Sequence, residues 1–225
     1  MDKMDNEDLH ERIRQIKAQL RQSMNGAVAA SMRQKGLGYR MNFGVELPRI
    51  KMIAAGQEKD HRLAQALWKE DVRECRILAG LLQPVETFCP EMADIWAERI
   101  DNPEIAELTC MNLFQYLPYA PAKAFQWIAS GQEWLMVCGF HIIARLLMRR
   151  GEMDLRAENE FLDQAVAAFL SGPYTVQSAV AVALRRFMQH SGEHALAVHR
   201  RVAHLKGSPV EAEALLYRVV EEEMD

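Results

Sequence analysis

Hydrophobic and polar positions follow one another along this chain with the spacing of helices almost throughout. From about Asn6 to Gln34, Leu9, Ile13, Ile16, Leu20, Met24, Val28 and Met32 fall at intervals of three and four residues. That pattern predicts one long amphipathic helix. The segment Lys35–Pro48, KGLGYRMNFGVELP, carries three glycines and ends in proline, which predicts a loop. A short helix follows over Leu47–Ala55, with Pro48 in its first turn, where proline loses no hydrogen bond. Further helices are expected at Asp60–Lys69, Val72–Leu82 and Glu91–Arg99, and at Pro103 to about Tyr116 behind an Asn102 cap. Ala122–Ala129, Trp134–Arg150, Ala157–Leu170, Tyr174–His190, Glu193–Leu205 and Pro209–Glu223 complete the set.

The stretch Glu133–Arg150, EWLMVCGFHIIARLLMRR, is apolar on nearly every face. A helix of this kind has to be wrapped by neighbours, since an exposed side would leave too much hydrocarbon in water. It is therefore expected to be an inner, buried helix. No segment shows strand alternation of useful length, so the fold class is all-α. Related pieces recur at VRECRILAGLL (from Val72), WLMVCGFHIIARLL (from Trp134) and VQSAVAVALRRFM (from Val176), each accompanied by a second amphipathic helix. Helix pairs repeating in this way suggest a HEAT-like repeat solenoid with one continuous core; a non-repeating helical bundle is the alternative. The expected organisation is a single domain over 1–225, with an N-terminal helix over 1–34 and stacked helix pairs over 42–223.

Charge changes this picture only locally. The net charge of −4 and pI near 6.0 give no overall attraction to nucleic acid. DNA binding would need a basic face masked by the acidic ends MDNEDLHE and EEEMD. Arg145, Arg149, Arg150, Arg185, Arg186, Arg200, Arg201 and Lys206 gather in the C-terminal half near helix ends, where a cation also complements the helix dipole. The four cysteines, Cys75, Cys89, Cys110 and Cys138, are widely spaced, which predicts reduced thiols in a cytoplasmic protein. The acidic start is unlike a secretory signal, and the apolar run at Glu133–Arg150 is too short for a membrane span. The histidines His190, His194, His199 and His204 have no ligand spacing for zinc and are expected on a solvated or basic face. Trp68, Trp96, Trp127 and Trp134 sit among Leu and Ile at helical spacing and are expected in the core. No phosphate-cradling glycine loop or nucleophile elbow is present.

Four pieces in order along the chain carry a family resemblance: NFGVELPRIKMIA at Asn42, ALWKEDVRECRILAGLL at Ala66, QWIASGQEWL at Gln126 and VQSAVAVALRRF at Val176. Over about Asn42 to Phe187 the chain resembles the AlkD-type DNA alkylation repair proteins. The resemblance implies HEAT-like helical repeats that hold duplex DNA and excise cationic N3- or N7-alkylated purines. It implies no metal or organic cofactor, because the glycosidic bond of a cationic base is already activated. The family surrounds the lesion with an aspartate, two tryptophans and an arginine. A carboxylate offsets the developing oxocarbenium charge, aromatic faces suit a cationic nucleotide, and an arginine grips phosphate.

Carried over by position, the aspartate station falls at Glu107, which keeps a carboxylate on a longer stem. The tryptophan stations fall at Pro103 and Val182 and the arginine station at Val137. Glu107 is thus the candidate catalytic residue, with a solvated partner for Arg99 or Lys123 as the structural alternative. Arg145, Arg149, Arg185 and Arg186 are the candidate DNA contacts. Two functions follow: a DNA alkylation repair protein with substituted catalytic residues, or a non-catalytic HEAT-like scaffold for DNA or a protein partner. Whether it is an enzyme is left open by these residues.

Overall fold

The computed structural model describes residues 4–224, and among them every regular element is a helix. The chain divides into two compact units, Met1–Leu117 and Pro118–Asp225. In the first unit lie α1 (Met4–Gln22), α2 (Gly26–Gln34), α3 (Leu47–Ala55), α4 (His61–Lys69), α5 (Arg73–Leu82), α6 (Pro90–Ala97) and α7 (Pro103–Asn112). In the second lie α8 (Ala120–Ala129), α9 (Glu133–Met148), α10 (Leu155–Ser171), α11 (Tyr174–Met188), α12 (Gly192–Val202) and α13 (Glu211–Glu221).

The periodicity that predicts one helix over Asn6–Gln34 is interrupted at residues 23–25. Asn25 takes an extended backbone and its side chain accepts from the Val28 N–H at 3.2 Å, starting α2 afresh. Its own N–H donates to the Phe43 carbonyl at 2.9 Å, so the glycine loop fixes the break. Gly44 makes that approach possible. It holds φ +70°, and a Cβ there would meet the Asn25 carbonyl oxygen at 2.1 Å.

Prolines set other boundaries. Pro90 and Pro121 stand in the first turns of α6 and α8, opening helices that the sequence places slightly later. The Pro103 helix ends at Asn112 rather than Tyr116, because Leu113 leaves helical geometry and a 3-10 turn covers Phe114–Tyr116. Asn102 caps that helix as expected, accepting from the Ile105 N–H at 3.0 Å.

Within the first unit α4 packs on α5, and α5 packs on α3 and α7. Trp68 and Trp96 stack face to face at 4.2 Å in its core, and the Trp96 indole donates to Gln65 at 3.1 Å. In the second unit α9 packs on α8 and α11, and α10 packs on α11 and α13. The apolar stretch is the buried helix its composition demands: Leu135, Val137, Cys138, Phe140, Ile142, Ile143, Ala144 and Leu147 are all out of solvent. The three recurring segments are α5, α9 and α11, each packed on the helix before it, α4, α8 and α10.

Gly139 lets α8 and α9 touch backbone to side chain. A Cβ at Gly139 would lie 2.7 Å from both the Ala124 carbonyl oxygen and the Ile128 side chain. Gly139→Ala is therefore expected to destabilise the protein by about 1–3 kcal/mol through overpacking. Helix propensity alone predicts a gain of roughly 1 kcal/mol. Urea unfolding gives the sign, and a gain would show that the two helices separate easily.

Candidate nucleic-acid interface

Two arginine environments emerge from the fold, and they differ in burial. The first is in the N-terminal unit. Arg73, at the start of α5, is 2% exposed and Glu74 beside it is fully buried. Arg73 grips Glu104 of α7 with two parallel bonds, Nη2 to Oε1 at 2.6 Å and Nε to Oε2 at 2.8 Å. Its Nη1 donates to the Val45 carbonyl at 2.9 Å and to Glu74 at 3.1 Å. Glu74 in turn accepts the backbone N–H groups of Phe43 and Val45, at 3.2 and 3.1 Å. The Tyr39 hydroxyl donates to Glu104 and stands 3.0 Å from the Asn102 side-chain oxygen. The glycine loop is thus latched to α5 and α7.

Burial pushes the Glu104 carboxyl up, but the hydrogen bonds from Arg73 and Tyr39 outweigh it and hold the group below the usual carboxylate range. Burial pulls the Arg73 guanidinium down, and the Glu104 and Glu74 carboxylates more than reverse this. Burial and the Glu104 carboxylate raise the Tyr39 hydroxyl well above its ordinary value, so it stays a donor. No aspect of the sequence pattern marks these residues as a group, because Tyr39, Arg73 and Glu104 lie on three different segments. Their chemistry is structural: every charge is satisfied and turned inward.

Glu107 stands one turn beyond Glu104 on α7, on the exposed side of that helix. Pro103 is exposed at the N-terminus of the same helix, Val137 is 1% exposed inside α9, and Val182 lies on the outer stripe of α11 at 37% exposure. Phe43 and Trp127 are core residues at 8% and 2% exposure. Tyr39 is half-buried, with its hydroxyl tied to Glu104.

The second environment is at one end of the C-terminal unit. Arg145 is half-buried in the last turn of α9, and Arg149 and Arg150 follow it, exposed. Arg186 is exposed in the last turn of α11 and donates to Gln189 at 2.8 Å. Arg185 differs from the expectation for a DNA contact. Its Nε is 2.9 Å from Glu223 and its Nη2 is 3.9 Å from Glu222, an ion pair with the end of α13. The acidic C-terminal run neutralises it.

Between the ends of α9 and α11 opens a recess of about 620 Å³, lined by Leu147, Met148, Arg150, Glu152, Arg186, Gln189 and His190. A smaller cavity of about 250 Å³ adjoins it, with Phe187, His194 and Glu158 in its wall. His194 is not a solvated surface residue. It stacks on Phe187 at 4.4 Å, its Nε2 lies 2.8 Å from Glu158, and its Nδ1 lies 2.9 Å from the capping Ser191 hydroxyl. His199 pairs with Glu221 at 3.1 Å. Among the described residues no group of three or more His, Cys, Asp or Glu side chains converges in a way that would hold a metal ion.

Cys75, Cys110 and Cys138 are buried cysteines in no disulfide, and burial pushes the Cys75 thiol up to about 12. No helix among the described residues is long and apolar enough to cross a membrane.

Helix pairs stacked in two units, with cations gathered at helix C-termini, define a protein of the HEAT-like repeat class. Over 94% of the chain and 93% of its counterpart, the structure is similar at a TM-score of 0.77 and 17% identity to one solved structure. That structure is from a family described as related to the HEAT-like repeat DNA glycosylases, with affinity for branched DNA structures. Residues 16–206 match the family of DNA alkylation repair enzymes, and the chain belongs to that family. No curated protein sequence shows significant similarity to it.

Proposed function

We propose that this DNA alkylation repair family member acts by binding DNA through its backbone, branched DNA included, without excising bases by the family's usual residues. One observation carries the reading. Arg150 and Arg186 are exposed at the ends of two helices that pack on each other, and both line a polar recess. Cations so grouped can follow phosphates despite an acidic net charge. The similar protein with affinity for branched DNA supports the same reading. The stations for the two tryptophans and the arginine hold Pro103, Val182 and Val137, none of which can stack on a cationic base or grip a phosphate.

A glycosylase working through Glu107 is the second reading, favoured by the exposed position of that carboxylate on α7. Two assays separate the readings. Titration of a labelled four-way junction and a linear duplex of equal length is expected to show binding that weakens steeply with salt. Release of methylated purines from alkylated duplex is expected to stay at the spontaneous rate for both wild type and Glu107→Gln. Release by the wild type that is lost in Glu107→Gln would establish the second reading instead.

A further inference from the structure

The C-terminal end of α9 closes with a pair of bonds, Arg150 N–H to the Leu147 carbonyl at 2.9 Å and Gly151 N–H to the Leu146 carbonyl at 2.9 Å. This is the helix ending in which the residue at Arg150 takes a left-handed backbone, normally supplied by glycine. Arg150 occupies it at φ +59°, the only non-glycine residue with positive φ among those described. A glycine is present, but one position later. At Gly151 a Cβ would lie 3.0 Å from the Leu146 carbonyl oxygen, a tight contact that favours glycine there. The left-handed site has therefore been filled by a long cation at a conformational cost.

A stabilising role for that cation is already provided by others. Arg145 and Arg149 stand in and just past the last turn of α9 and complement its dipole. Arg150 instead borders the recess with Arg186, Gln189 and His190. Neither Arg150 nor Arg186 has an ion-pair partner among the described residues, whereas Arg185 next to Arg186 is held by Glu222 and Glu223. The recess also has an apolar wall in Leu147 and Met148, and Met148 is 51% exposed. Its single carboxylate is Glu152.

We propose that this recess is a nucleotide subsite, in which Arg150 and Arg186 hold one DNA phosphodiester and Met148 faces the adjoining sugar or base. The left-handed backbone lies at the residue that lines the recess together with Arg186. Strain kept at a single residue beside a polar recess is what a binding role accounts for and helix capping does not. The proposal rests on the DNA-binding reading and specifies where on the C-terminal unit a phosphate sits.

Arg150→Gly tests it, because capping and binding predict opposite signs. Glycine is the preferred residue for this backbone, so the variant is expected to melt at the wild-type temperature or roughly 2 °C above it. Its affinity for the labelled junction is expected to fall about tenfold, the loss of one charge-assisted bond of about 1.4 kcal/mol. The slope of log affinity against log salt is expected to drop by about 0.9, one phosphate contact. Arg186→Gln should give the same drop in slope. An unchanged slope in Arg150→Gly, with a wild type that binds in a salt-sensitive way, overturns this subsite and leaves the DNA-binding reading standing. A lower melting temperature with unchanged affinity would assign Arg150 to the helix end. A wild type that shows no salt-sensitive binding removes both.

Discussion

Arg73→Met is expected to cost about 3–5 kcal/mol of stability, the loss found when one partner of a buried ion pair is removed. Methionine preserves much of the volume of the side chain and none of its five donors. Glu74, fully buried, would keep two backbone N–H groups from the glycine loop and lose the guanidinium paired with it. Glu104 would keep the Tyr39 hydroxyl alone. The loop anchor at the Val45 carbonyl would go as well. Urea unfolding of Arg73→Met and of the double variant Arg73→Met, Glu104→Gln separates charge from packing. Recovery of stability in the double variant is expected, since neutralising one stranded carboxylate removes part of the penalty. A loss below about 1 kcal/mol in the single variant would mean that water reaches these carboxylates freely.

The same network gives stability a pH dependence of definite sign. Glu104 is pushed up by burial yet held below the ordinary carboxylate range by Arg73 and Tyr39. Its contribution is complete above the pH at which an unfolded glutamate ionises, and it is lost as the pH falls through the folded value. Asp60 adds to this in the same direction, since its bonds to the Leu63 and Arg62 N–H groups and to Arg12 outweigh the effect of its burial. Acidification is therefore expected to lower the unfolding midpoint of the wild type more steeply than that of Glu104→Gln. Parallel curves for the two proteins below pH 4 would show that Glu104 is not the group responsible.

Helix faces were legible where composition alone decides burial. The stretch at Glu133–Arg150 has no Asp, Glu, Lys or Arg between Glu133 and Arg145, so its inner position followed directly. The break between α1 and α2 was not legible in the periodicity, because Leu20, Met24 and Val28 keep helical spacing straight through it. The cause is tertiary: a carbonyl at Phe43 captures the Asn25 N–H. Asn25-Gly26 was the available signal, a capping residue followed by a weak helix former. The positions of the cations near helix ends were also legible, but their pairing was not. Arg185 and Arg186 are neighbours in sequence, and only the arrival of Glu222 and Glu223 from the end of α13 distinguishes them. Arg150 could not be told from Arg149 either, since a left-handed backbone shows in the fold and not in the letters MRRG.

The double charge reversal Arg150→Glu, Arg186→Glu is expected to weaken binding to the labelled junction by at least about 100-fold, two charge-assisted contacts of about 1.4 kcal/mol each. Repulsion between the new carboxylates and the phosphates adds to that loss, and the salt slope should fall by about 1.8. Stability is expected to change little by comparison. Both side chains are exposed, and an acid near a helix C-terminus costs about 0.3–1 kcal/mol. Arg73→Met should behave in the opposite way, losing stability first and affinity only as the protein unfolds. The contrast follows from where each guanidinium finds its anions. Arg73 has Glu74 and Glu104 inside the fold, whereas Arg150 and Arg186 have no carboxylate at ion-pair distance among the described residues and border an open recess. If the double reversal leaves junction binding within threefold of wild type while melting normally, the phosphate contacts lie elsewhere on the protein. The exposed face of α7 around Glu107 would then be the next surface to test.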